Sequence, residues 1–128
     1  MINWENLYKI KIANSDDSFQ NHEVVKLLLV MKLLKKYSRN KNTIRIYTEF
    51  DMDNGLICDV YFENMKTKEV IIYEIQKKIT NEWKDKIVNA YKDYTIPYIK
   101  TVDLVIVDLN KCPDNISEIN KWLEEYLI

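Results

Sequence analysis

Apolar residues recur at Val24, Leu27, Leu28, Met31 and Leu34, the three- and four-residue steps that align side chains on one face of an α-helix. Lys26, Lys32, Lys35 and Lys36 fall between them and are expected on the solvent side. Asp16, Asp17 and Ser18 can cap this helix, with Gln20 three residues after Asp17 in capping-box spacing, and the pattern carries it to about Tyr37. From Thr43 the period changes to two, and Ile44-Arg45-Ile46-Tyr47-Thr48-Glu49-Phe50 predicts a strand. Asp53-Asn54-Gly55 is the strongest turn signal of the chain, because Asn and Gly tolerate the positive φ of tight hairpins. A second strand is expected over Leu56 to Glu63. After the polar run Asn64 to Lys68, a third is expected over Val70 to Gln76, completing a meander.

Thr80 and Asn81 can cap a second helix presenting Trp83, Ile87, Ala90, Tyr91 and Tyr94, which Pro97 stops. Val102-Asp103-Leu104-Val105-Ile106-Val107 is nearly all apolar, as a strand covered on both faces is, and a helical crossover into it predicts parallel pairing at a central position. Asn115 with Glu118 forms a capping box for a terminal helix with Ile116, Ile119, Leu123, Tyr126 and Leu127. The expected order is α-β-β-β-α-β-α in one domain spanning residues 1–128: an α/β fold whose mixed sheet is flanked by helices.

Composition narrows the classes. At 128 residues and 47% hydrophobic, the chain can bury a core without disulfides or zinc. Cys58 and Cys112 lack CxxC spacing and neighbouring histidines, so reduced thiols in an intracellular protein are expected. The longest apolar run, Leu27 to Met31, is too short to span a bilayer, and Met1-Ile2-Asn3-Trp4-Glu5 lacks a leader's charge pattern. A single glycine excludes phosphate-binding loops and dinucleotide fingerprints. The net charge of -1 conceals segregation: residues 24–48 carry +7, 49–65 carry -5, and 101–128 carry -4. Lys35, Lys36 and Arg39 lie at the exit of the first helix, where a polyanion could dock, and a solubilising helix face explains them nearly as well.

The chemistry concentrates in the second and third strands. A turn about Lys66-Thr67 sets Asn64 opposite Glu69, Glu63 opposite Val70, Tyr61 opposite Ile72, and Asp59 opposite Glu74. Directly opposed like charges destabilise a sheet unless neutralised, and a divalent cation that prefers oxygen ligands, Mg²⁺ or Mn²⁺, would neutralise this pair. Carboxylates at solvated strand ends are the alternative. His22, the only histidine, stands beside Glu23 as a weaker candidate for supporting a site.

The α-β-β-β-α-β order, Asp59 in the second strand, and Glu74-Ile75-Gln76 ending the third resemble the PD-(D/E)XK nuclease superfamily over roughly residues 18 to 109. The resemblance implies a restriction-endonuclease-like core, a metal site of Glu23, Asp59 and Glu74, and Mg²⁺- or Mn²⁺-dependent cleavage of DNA phosphodiester bonds. Gln76 stands where the family's motif has lysine, similar to the E-x-Q form of competence-protein-like nucleases. Gln can orient water or phosphate but supplies no positive charge, so Lys78, or Lys84 and Lys86 from the second helix, are the candidates to supply it. In size the chain is similar to small Holliday junction resolvases, which implies branched DNA as substrate and a homodimer. Two other classes stand beside this one: a nucleic-acid-binding or assembly module that kept the fold and lost the chemistry, and an interaction domain with no nucleic-acid role.

Overall fold

The computed structural model describes residues 8–9 and 20–127. A mixed sheet in the order β1-β2-β3-β4-β5 is built from β1 (Tyr8–Lys9), β2 (Ile44–Asp51), β3 (Ile57–Asn64), β4 (Glu69–Gln76) and β5 (Thr101–Asp108). The meander β2-β3-β4 is antiparallel, and β1 and β5 add in parallel at its two borders. The helices are α1 (Gln20–Lys36), α2 (Asn81–Lys92) and α3 (Ile116–Trp122), with a 3-10 turn Leu123–Tyr126 continuing α3. Helices α1 and α3 supply one core cluster with Ile46, Val60, Phe62 and Tyr73, whereas α2 supplies another with Tyr47, Tyr61 and Ile72. The sheet is therefore sandwiched. An α/β fold with a helix-flanked mixed sheet agrees with the expectation.

Turn chemistry explains the meander. Asp53 and Gly55 adopt positive φ, the Asp51 and Asn54 side chains accept from the amides of Asp53 and Leu56, and Met52 N–H bonds to Leu56 C=O. At the second turn Asn64 Oδ1 accepts from both Lys66 and Thr67, and Lys68 takes a positive φ. The predicted register is observed from Asn64↔Glu69 through Tyr61↔Ile72. Thr80 and Asn115 cap α2 and α3 through the amides of Trp83 and Glu118. The Asp16–Ser18 cap lies outside the described residues.

Four expectations are corrected. The face of α1 against the sheet is Val25, Leu29, Val30 and Leu33, with Glu23 and Lys26 beside them, whereas Met31 is 63% exposed. Apolar residues occupy most of the circumference of α1, so spacing alone leaves its rotation undetermined, and Lys26 is fully buried instead of facing solvent. Next, β5 is a border strand among the described strands, not a central one. In addition, α2 ends at Lys92, five residues before Pro97, so Tyr94 packs from the following turn and donates to Met52 C=O. Finally, Ile116 at the start of α3 is exposed. The short β1 was not anticipated, because two residues carry no periodicity.

Candidate functional site: a carboxylate row at the break in the sheet

Alternation along β2 and β3 reverses at one row. In β2, Tyr47 and Phe50 both join the core on the α2 side although three residues apart, and in β3 Cys58 and Tyr61 do the same. Strict alternation would set each pair on opposite faces. The residues within the reversal are Glu49 and Asp59, and the β2–β3 ladder pairs Thr48↔Val60 and Phe50↔Cys58 around them without pairing the two. Glu49 has φ 49°, a left-handed conformation costing about 1–2 kcal/mol for such a residue. The β3–β4 ladder likewise stops at Val60↔Tyr73. One residue further, Asp59 Oδ2 accepts the Ile75 backbone N–H at 2.7 Å.

The reversal turns Glu49 and Asp59 toward α1. Lys26 Nζ lies 3.1 Å from Glu49 Oε1 and 2.5 Å from Glu23 Oε2, and His22 Nε2 lies 3.2 Å from Asp59 Oδ1. Burying an ammonium costs several kcal/mol unless closely paired, and two carboxylates meet that condition for Lys26. The ion pair with Lys26 offsets the strain at Glu49. His22 is raised above its ordinary pKa chiefly by the hydrogen bond to Asp59, against the opposing effect of burial.

Glu74 belongs to β4, where Val70 and Ile72 keep regular alternation on the α2 side. It is buried, and the Tyr91 hydroxyl of α2 donates to its Oε1 at 3.4 Å. Burial first, then the charge of Asp59 and a hydrogen bond shared with it, pushes the Glu74 carboxyl up to about 8. Glu74 is therefore favoured in its protonated form near neutral pH. Cys58, beneath the row, is an inert thiol: burial drives its pKa well up, and its Sγ lies against the Val60 carbonyl.

Of the residues singled out in the sequence, Glu23 and Asp59 meet His22 on the α1 side, whereas Glu74 lies on the α2 side under Tyr91 and touches Asp59 across the break. Glu23 is engaged by Lys26, and among the described residues no three His, Cys, Asp or Glu side chains form a ready metal cage. A divalent cation at the Asp59–Glu74 pair would have to displace the hydrogen bond that the two carboxyls share. Gln76 Nε2 donates to the Lys78 carbonyl at 3.2 Å, and Lys78, Lys84 and Lys86 are exposed. Lys35, Lys36 and Arg39 are exposed on the far half of α1 and its exit. The two lysines border an open groove of about 860 Å³ with Leu28, Met31 and Ile116. Glu49, Lys26 and Tyr91 escaped the sequence reading. The signal for Glu49 was present, since a hairpin centred on Asn54 sets Glu49 opposite Asp59; no comparable signal marked Lys26.

No family model, curated protein or solved structure matches the chain in comparison with known proteins. No helix among the described residues is long and apolar enough to cross a membrane.

Proposed function

We propose that the chain is a metal-dependent nuclease of the PD-(D/E)XK type with DNA as its substrate, branched or junction DNA included. The observation that carries the reading is the contact of the Asp59 and Glu74 carboxyls at the break in the sheet, with Glu74 pushed far above its usual range. The α-β-β-β-α-β order, with an antiparallel meander extended by a parallel fourth strand, supports a restriction-endonuclease-like core. Glu74 and Asp59 would hold Mg²⁺ or Mn²⁺, and such a cation supplies Lewis-acid stabilisation of phosphate charge and eases deprotonation of water.

Around that pair the chain's own residues set the geometry. The Ile75 amide fixes Asp59, and the Tyr91 hydroxyl orients Glu74. Lys26 locks Glu23 and Glu49 against the row. His22, partly exposed beside Asp59, can donate to a phosphate oxygen. One observation favours the second reading, a module of the same fold without chemistry: Lys26 is enclosed and Gln76 is tied to Lys78, so neither reaches outward. Incubation of duplex, single-stranded and branched DNA with the protein and Mn²⁺ or Mg²⁺ separates the two. Cleavage lost in Asp59→Ala and Glu74→Ala supports the nuclease; binding without cleavage of any substrate supports the module.

A further inference from the structure

The strand β5 has the composition of a strand enclosed on both sides, yet it stands at the border of the sheet. Natural sheets protect borders with lysine, proline, bulges, short strands or inward charges. β5 pairs with β4 in unbroken register over eight residues, contains neither Lys nor Pro, and carries only Asp103 and Asp108 as charges. The opposite border differs: the two-residue β1 covers part of β2, and the left-handed Glu49 interrupts its regular course. On the outer edge of β5, backbone N–H and C=O groups of alternate residues point away from β4, and no described strand takes them.

We propose that β5 pairs antiparallel with β5 of a second copy of this chain, joining two sheets into one. Self-complementarity is what selects a copy over an unrelated strand. A two-fold axis normal to the sheet keeps each residue on its own face, so directly opposed residues share a face. With the axis at Leu104, Val102 meets the partner's Ile106, Leu104 meets the partner's Leu104, and Ile106 meets the partner's Val102. Val102 and Leu104 already pack on the α2-side core. Ile106 is half-buried and belongs to neither core cluster, and the pairing would set an apolar neighbour beside it. Asp103 falls on the other face, where it is exposed.

The pairing stands independently of the nuclease reading. One consequence rests on that reading: three strand spacings and a four-residue offset would set two Glu74 side chains roughly 20 Å apart on a common face, suited to two cuts in one substrate.

Sedimentation equilibrium of the full chain across micromolar concentrations tests the proposal, with a mass of twice 15.4 kDa expected. Ile106→Lys, outside both core clusters, should return the monomer while retaining the wild-type circular dichroism spectrum. In a Cys112→Ser background, Leu104→Cys should form a disulfide-linked dimer on mild oxidation and Val105→Cys should not. A wild-type monomer overturns the proposal, and protection of its β5 amides from hydrogen exchange would assign the edge to a segment of its own chain. A dimer indifferent to Ile106→Lys, or one cross-linked through residue 105 and not 104, overturns the pairing.

Discussion

Two acidic residues, Glu63 and Glu74, are buried on neighbouring strands and meet opposite fates. Glu63 sits near the end of β3 with Arg45 Nη1 3.4 Å from Oε2 and the Tyr61 hydroxyl donating to Oε1 at 2.8 Å. Glu74 has a second carboxylate, Asp59, as its nearest charge, and Tyr91 as a longer hydrogen-bond partner. Burial is comparable for the two, at 5% and 7% exposure, so burial alone does not distinguish them. A buried carboxylate met by a guanidinium and a hydroxyl is neutralised within the chain. One met by another carboxylate has no such partner of its own: His22 reaches Asp59, and Glu74 is left to a proton or to a cation from outside.

The sharpest test of that contrast is activity. Under the proposed function, Asp59→Ala and Glu74→Ala should reduce Mn²⁺-dependent DNA cleavage to background, because each would remove half of the carboxylate pair proposed to hold the cation, while Glu63→Gln should leave the rate within a small factor. Full activity in a folded Glu74→Ala protein would place the reacting centre elsewhere.

Stability should separate the clusters differently. Removing the cation from a buried pair costs about 3–5 kcal/mol, because a carboxylate is left uncompensated. Arg45→Met and Lys26→Met should therefore both lower the urea midpoint strongly. Only Lys26→Met should also impair cleavage under conditions where it remains folded, since Lys26 holds Glu23 and Glu49 at the row. Equal activity in the two variants would reduce Lys26 to a packing role.

Acidity gives a smaller and signed effect. Glu74 moves from an ordinary 4.5 to about 8 on folding, so the folded state holds a proton that the unfolded chain has released. That contribution is complete below about pH 4.5 and is lost as pH rises through about 8, with a slope of at most about 1.4 kcal/mol per pH unit. The raised His22 acts in the same direction. Metal-free protein should lose stability over this window, and Glu74→Gln should flatten the decline. Saturating Mn²⁺ should flatten it as well, by replacing the proton. A urea-unfolding series against pH that rises through the window would contradict the account of the pair.

The least effect on either cluster is expected from Lys35→Glu, Lys36→Glu and Arg39→Glu combined. DNA affinity should fall across sequences, and its salt dependence should flatten by about 0.9 per lost phosphate contact, with the pH series unchanged. Binding that is undiminished at low salt would make this half of α1 a solubilising face.

Local chemistry made much of the fold legible. The Asp53–Gly55 and Asn64–Lys68 turns, the caps at Thr80 and Asn115 and the alternation of the meander each depend on neighbouring residues, and together they fixed the β3–β4 register as far as Val60 and Tyr73, one residue short of Asp59 and Glu74. Other features depend on what arrives from a distance. The rotation of α1 could not be read, because Val24, Leu28 and Met31 compete with Val25, Leu29 and Leu33 for the same description; only docking against Val60, Phe62 and Tyr73 chooses between them. That choice buries Lys26. It also draws Glu49 into a left-handed conformation, because an ammonium removed from water needs the second carboxylate. The sequence by itself determined the pairing and register of the meander β2-β3-β4 up to the break, because turn chemistry and a period of two act over a few residues. Only the tertiary structure decided which helix face meets the carboxylate row, that β5 stands at the border, and that Glu74 is crowded by a like charge where Glu63 is paired with an opposite one. Those outcomes are set by packing and desolvation among residues far apart in the chain, for which no local pattern carries a signal.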